Sequence, residues 1–149
     1  MIQLETQILI QAPVDQVWKV LTDLEAYQEW NPFIIKIEGK AQKDTYLKNT
    51  LQFTPQKQQV FSPIVLDAIP NQLFRWRGKL FIKGLFDGEH YFQLVPIDAT
   101  QTKLIHGEKF TGLLVKPLMR SIREQTLHNF EAMNEALKAR VESLYVTNE

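Results

Sequence analysis

Polar and apolar residues alternate from the first positions of the chain. Ile2, Leu4, Thr6, Ile8 and Ile10 share one parity, with Gln3, Glu5, Gln7 and Gln11 on the other. Period two with polar partners predicts a half-buried strand. Ala12-Pro13 breaks it, and Pro13 suits the first position of a helix. Val14, Val17, Trp18 and Leu21 then form an apolar stripe at helical spacing, with Asp15 near the positive end of the helix. Leu24 to Trp30 predicts a second short helix. It ends at Trp30-Asn31-Pro32, because a residue before proline is pushed toward extended geometry.

The middle of the chain reads as strands. Phe33, Ile35 and Ile37 alternate with Ile34, Lys36 and Glu38, and Leu47, Leu51 and Phe53 mark another strand that ends near Pro55. A further strand is predicted from about Gln58 to Ile69. Its faces compete: Val60, Ile64, Leu66 and Ala68 against Phe61, Val65 and Ile69. After the turn at Pro70-Asn71-Gln72, Phe74, Trp76 and Leu80 alternate with Arg75, Arg77 and Lys79. Phe86–Val95 and Thr102–Thr111 give two more strands, and this spacing predicts an antiparallel meander. The period then changes. Met119, Ile122, Thr126, Phe130, Met133, Leu137, Val141 and Leu144 step by three or four, predicting one helix from Pro117 to Leu144. It would be about 40 Å long, enough to cross a domain. The fold class is therefore α+β: a curved antiparallel sheet of six to seven strands wrapped on a long C-terminal helix, with two short helices after the first strand.

Composition narrows the chemistry. The 149 residues suit one domain spanning 1–149. Seventeen basic and 17 acidic residues balance, which argues against a nucleic-acid partner recruited by a net basic field. The absence of Cys removes disulfides, thiolate metal sites and a Cys nucleophile. No apolar run approaches the ~18 residues of a spanning helix, and Met1-Ile2-Gln3-Leu4-Glu5 lacks a basic leader, so the expectation is a cytoplasmic protein without stable membrane insertion. There is no Gly-rich phosphate loop, nucleophile elbow or His-Glu-x-x-His run, and no cofactor is expected.

The last two strands carry the candidate chemistry. Phe86, Gly88, His90, Phe92 and Leu94 share a face with Thr102, Leu104, His106, Glu108 and Phe110. This is the apolar face, yet it holds two histidines and a glutamate. Two hairpin registers keep it inward: one sets His90 opposite His106, the other sets His90 opposite Glu108. Isolated buried charges are costly, so the three must hydrogen-bond or line a wet pocket. They could anchor a ligand carbonyl or hydroxyl, act as an acid/base pair, or only fix the register. A two-His-plus-carboxylate metal site is chemically possible, but no sequence-local ligand motif supports it and no metal is expected.

The element order and the text Ala12-Pro13-Val14, Val17-Trp18, Leu21, Asp23, Tyr27 and Trp30-Asn31-Pro32 resemble the START-like, or SRPBCC, helix-grip superfamily. The bacterial polyketide cyclase/dehydrase-type branch is the nearest in pattern. Leu73-Phe74-Arg75-Trp76, Gly88-Glu89-His90, Phe92, Leu94, Thr102, His106-Gly107-Glu108, Phe110 and Gly112 fit the same pattern, and the resemblance covers essentially the whole chain. It implies a hydrophobic cavity between sheet and helix, and fold alone does not choose among the functions hosted there.

The leading expectation is binding or transport of a hydrophobic small molecule (lipid, polyketide, quinone or aromatic metabolite) rather than catalysis. Trp76, Phe92, Leu104, Phe110, Phe130, Met133 and Leu137 would wall the pocket, and His90, His106 and Glu108 would orient the polar end. The alternatives are a cyclase, dehydratase or hydrolase using Glu108 or a histidine for proton transfer, and a co-chaperone-like interaction domain with an unknown protein partner. The apolar loop Phe81, Ile82, Lys83, Gly84 and Leu85 could gate the cavity against Leu113, Leu114, Leu118 and Met119, or simply pack there. Trp18, Tyr27, Trp30, Asn31 and Phe33 could line a pocket; core packing, with Asn31 capping the chain before Pro32, is the simpler expectation. Arg75, Arg77 and Lys79 form an outer basic stripe that Asp87 and Glu89 can pair with, and His128 is expected to be exposed.

Overall fold

The structure is a computed structural model and describes residues 1–80 and 83–147. Strand β1 (Ile2–Ile10) leads into helix α1 (Val14–Thr22), a 3-10 turn (Leu24–Ala26) and the short helix α2 (Tyr27–Trp30). Then come β2 (Ile34–Glu38), β3 (Lys48–Thr54), β4 (Lys57–Phe61), β5 (Ile64–Ile69), β6 (Leu73–Leu80), β7 (Phe86–Asp98), β8 (Gln101–Thr111) and α3 (Val115–Thr147). Strands β1-β8-β7-β6-β5 form one antiparallel sheet and β2-β3-β4 a second. Together they wrap the 33-residue α3, about 50 Å long. The α+β helix-grip architecture read from the sequence is the architecture observed.

Several local details differ from the sequence reading, each for a physical reason. The strand expected across Gln58–Ile69 is two, β4 and β5, because Ser62-Pro63 interrupts the pairing and Pro63 lacks a ladder donor. That split accounts for eight strands among the described residues, rather than six to seven. Pro13 is the N-cap of α1 and not its first residue: its carbonyl accepts from Gln16 and Val17 N–H. A bulge between Ile34 and Lys36 breaks the simple alternation of β2, so Ile34 and Ile37 are both buried. Helix α3 begins at Val115, two residues early; Pro117 is tolerated because first-turn N–H groups need no helical partner.

The inward parity of the last strands is as expected. Phe86, His90, Phe92 and Leu94 on β7, and Thr102, Leu104, His106 and Phe110 on β8, are all buried. On the opposite face Tyr91 pairs directly with Gly107, where a side chain would collide with the Tyr91 ring. That places the Tyr91 hydroxyl to donate to Glu5 Oε2 at 2.5 Å and to accept from Gln3 Nε2 at 2.6 Å. Burial and the Glu5 carboxylate push the phenol up to about 12. Arg75 pairs with Glu89 at 3.1 Å, as its stripe predicted, and also with Asp67 at 2.7 Å. Asp87 instead accepts from the Gly84 N–H.

Helix α3 is pinned near its middle and again in its second half. Asn129 Nδ2 donates to the Phe53 carbonyl at 3.1 Å, and Lys138 Nζ donates to the Leu9 carbonyl at 2.8 Å. None of the described helices is long and apolar enough to cross a membrane. The aromatic group near the first helices is core. Tyr27 is buried and donates to the Leu21 carbonyl, Trp18 meets the edge of Phe74, and Phe33 meets Phe130. Asn31 Oδ1 accepts from both Phe33 N–H and Ile34 N–H at 2.9 Å, turning the chain into β2. Because both donors are buried, Asn31→Ala is expected to destabilise the fold by about 1–3 kcal/mol, read as a lower urea midpoint.

Candidate functional site

The β7–β8 ladder decides what the three interior ionisable side chains touch. Its register sets His90 opposite Glu108 and Phe92 opposite His106. His90 Nδ1 lies 3.2 Å from Glu108 Oε1, and His90 Nε2 lies 2.7 Å from His106 Nε2. The chain of contacts continues beyond the hairpin. His106 Nδ1 is 2.8 Å from Asn134 Oδ1 on α3, and Asn134 Nδ2 donates to Thr6 Oγ1 on β1 at 2.8 Å. Thr6 Oγ1 in turn donates to the His106 carbonyl at 2.9 Å. Four elements thus contribute to one hydrogen-bonded chain, Glu108–His90–His106–Asn134–Thr6.

Apolar rings enclose it. Trp76 stacks on His90 with centroids 5.0 Å apart, and Phe92 and Phe130 stack on the two faces of the His106 environment at 4.4 Å each. His106 is fully buried. Burial first, and then the neighbouring His90, hold its imidazole well below its ordinary 6.5, against the opposing pull of the Asn134 side chain and the Phe130 backbone. The other end of the chain is different: the Glu108 side chain is 20% exposed. Room for its carboxyl comes from Gly88, where any Cβ would strike the Glu108 carboxyl group. The two imidazole nitrogens face each other at hydrogen-bond distance, so they are already committed to one another and not to a shared ion.

The residues expected to wall a cavity are all present in the interior. Trp76, Phe92, Leu104, Phe110, Phe130, Met133 and Leu137 are buried. At the level of His106 they fill the space by ring-on-ring packing. Toward Glu108 the interior continues past Gly88 to the Phe86–Phe110 pair, with centroids 5.4 Å apart, and then to the loop before β7. The described part of that loop meets the segment leading into α3: Leu113 N–H donates to Gly84 O at 3.1 Å and Leu114 N–H to Leu85 O at 2.8 Å. Gly112, at φ 128°, allows this approach, because a side chain there would strike the Leu85 backbone. Leu118 packs against the core and Met119 is within it. Phe81 and Ile82 lie outside the described residues. Outside the interior, an open groove of about 550 Å³ runs between β1 and α3, lined by Thr6, Ile8, Leu127, the exposed His128, Glu131 and Asn134 among others.

Thr6 and Asn134 were not singled out by the sequence reading. Thr6 is the one hydroxyl among the inward residues of β1, and Asn134 follows Met133 on the apolar side of α3. A polar residue on a core-facing parity was the available signal. Only the folded chain brings them together, since they are 128 positions apart.

The element order, the gripping sheet and the long helix make this a START-like helix-grip domain. The chain belongs to the polyketide cyclase/dehydrase and lipid transport family, whose model matches residues 1–142. A START superfamily protein from Mycobacterium smegmatis is similar in structure at 22% identity and TM-score 0.75, covering 95% of this chain and 98% of that one. The Zhui aromatase/cyclase from a Streptomyces species is similar at 17% identity and TM-score 0.75, with 95% and 93% covered. A protein from Mesorhizobium loti is similar at 18% identity and TM-score 0.75, with 95% and 98% covered. No curated protein matches the chain in sequence. These likenesses establish the fold; the family supports a ligand-binding or cyclase-type role.

The buried neutral histidine has a consequence for acid stability. His106 stays uncharged in the fold, whereas the unfolded chain takes up a proton near 6.5. Stability is therefore full above that value and is lost as pH falls below it, at up to about 1.4 kcal/mol per pH unit. Urea midpoints followed from neutral to mildly acidic pH are expected to fall more steeply for the native protein than for His106→Gln. Equal slopes would show that His106 does not supply the effect.

Proposed function

We propose that this protein binds a hydrophobic small molecule of the lipid, polyketide, quinone or aromatic-metabolite kind and holds its polar end against Glu108 and His90. One observation carries the reading. A carboxyl and two imidazoles are taken into an apolar interior, and only the carboxyl reaches the outside. Apolar residues of similar volume often pack in such a place at little cost in stability, and fixing the strand pairing does not need a carboxyl that reaches the outside, which supports a role toward something it meets. The family description, which joins polyketide cyclases and dehydrases with lipid transport, supports a ligand of this class.

The ligand approaches from the side of Gly88, Phe86 and Phe110, past the loop that holds Gly84 and Leu85. The His106 side is already filled by Phe92 and Phe130. Affinity comes from apolar burial at ~25 cal/mol per Å², and Glu108 selects orientation. Trp30 Nε1, Asn31 Nδ2 and Asn49 Oδ1 are buried without a hydrogen-bond partner among the described residues, so the interior has further polar capacity.

A second reading has its own support. The 3.2 Å contact between Glu108 and His90 joins an acid and a base, the arrangement that general acid–base chemistry needs. The similarity in fold to the Zhui aromatase/cyclase is consistent with it. In that reading Glu108 exchanges a proton with the bound molecule while the packed rings exclude water.

Native mass spectrometry of freshly purified protein, followed by solvent extraction, tests the first reading. A defined extra mass is expected, released as an apolar compound with one polar end, and Glu108→Ala is expected to retain about tenfold less of it. An unloaded protein that also takes up no aromatic or acyl probe would overturn the reading. If the second reading holds, Glu108→Gln abolishes turnover and leaves binding nearly intact; an unaffected rate removes it.

A further inference from the structure

We infer that Thr6 and Asn134 set the direction of the whole interior hydrogen-bond chain, and that this direction leaves the free oxygen of Glu108 an acceptor only, so that the polar end of the ligand is a hydroxyl or N–H donor. The second half rests on the binding reading above; the first does not.

The argument is a count of protons. Thr6 has one hydroxyl hydrogen, and it is given to the His106 carbonyl. Thr6 Oγ1 is therefore an acceptor toward Asn134, which must present its NH₂ there. That fixes the amide, and its oxygen faces His106 Nδ1 at 2.8 Å. His106 Nδ1 then carries the hydrogen. The opposite amide orientation loses one of these bonds, because Thr6 would have to release the His106 carbonyl to donate to Asn134. The Phe130 backbone also favours a hydrogen on this ring.

A neutral His106 with hydrogen on Nδ1 has a bare Nε2. His90 Nε2 lies 2.7 Å away and must be the donor. The 3.2 Å contact between His90 Nδ1 and Glu108 Oε1, as a hydrogen bond, takes one proton, whichever atom holds it. It sits either on nitrogen beside a carboxylate or on oxygen beside a neutral ring. In both placements Oε2 has no hydrogen, and this is the oxygen that Gly88 leaves room for. A ligand group meeting Oε2 must donate. A phenol, an enol, an alcohol or an N–H fits, whereas an ether or a ketone does not.

Thr6 and Asn134 are positioning residues here, since neither needs to touch the ligand. Without the Thr6 hydroxyl, Asn134 is free to turn its NH₂ toward His106 Nδ1. Each bond along the chain then reverses. His106 carries hydrogen on Nε2, His90 carries it on Nδ1, and Oε2 becomes the place for any proton on the carboxyl.

Nitrogen-15 spectra of histidine-labelled protein read these tautomers directly. At neutral pH, His106 is expected as the neutral Nδ1–H form and His90 with Nε2 protonated. Thr6→Val, which keeps the shape, is expected to convert His106 to the Nε2–H form, and Thr6→Ser to keep the native one. A native His106 in the Nε2–H or charged form overturns the direction, as does a folded Thr6→Val variant with unchanged tautomers. The native spectrum decides alone if that variant does not fold. The donor requirement is tested by titrating native protein with 2-naphthol and 2-methoxynaphthalene. The naphthol is expected to bind about tenfold tighter. Equal binding overturns the donor requirement alone. Binding of neither probe, with the expected tautomers present, overturns the ligand half and leaves the direction standing; the binding reading falls with it only where native mass spectrometry and acyl probes are blank as well.

Discussion

Removing a carboxyl and two imidazoles from water is the costly step around which this domain is arranged. Each loses hydration that an apolar interior cannot replace. The loss is tolerated because each group finds a partner in turn: Glu108 on His90, His90 on His106, His106 on Asn134, Asn134 on Thr6. Those partners come from β7, β8, α3 and β1. The polar chain thereby ties the centre of the sheet to its edge strand and to the helix the sheet grips. A packed apolar core resists being pulled apart, but it does not by itself say which residue must sit beside which. The hydrogen bonds do, because a half-satisfied chain is worse than none.

Much of the fold was legible because the two periods are distinct. Strict alternation in β1, β6, β7 and β8 and the three-four spacing of α3 each imply an inward face, and those faces are buried at most positions; Ile2, Thr6, Ile8 and Ile122 are half-buried, and Leu144, near the end of α3, is exposed. Legibility fell where one local device overrides the period. The bulge at Ile34–Lys36 turns two residues inward that alternation would separate, and Pro63 cuts a run whose composition stays strand-like on both sides. For the site, sequence placed His90, His106 and Glu108 on one face but left two registers open, since either keeps that face inward. It could not reach Asn134, whose role exists only once α3 lies against β1. Nor could it reveal that the wall residues at His106 touch ring to ring. Side-chain volume along a strand says what is buried, not whether the buried space is full.

The asymmetry of the polar chain matters for how a helix-grip domain hosts function. Its middle is sealed under aromatic rings, with a histidine that burial keeps neutral, and its Thr6 end borders the open groove between β1 and α3. The other end is a carboxyl at the edge of accessibility, with a glycine beside it where a side chain would intrude. The fold supplies the long helix and the curved sheet, and many chemistries have been grafted on that frame. On that frame this chain carries a hydrogen-bonded run from Thr6 to Glu108, with one Glu108 oxygen beyond its end.

The glycine beneath Tyr91 gives the domain a safeguard against mispairing. A hairpin that slips by two residues keeps all its inward side chains inward, so hydrophobic burial barely distinguishes it from the native pairing. In one such slip His90 would face His106 across the ladder, and Tyr91 would face Ile105, where no gap exists for its ring. The native alignment seats Tyr91 over Gly107 and delivers its hydroxyl to Glu5 on one face, while His90 meets Glu108 on the other. The two faces check the same alignment independently. A nascent hairpin that satisfies only one of them is frustrated on the other side, and the sequence thus discriminates between traps that its pattern of greasy residues alone would leave nearly equal in energy.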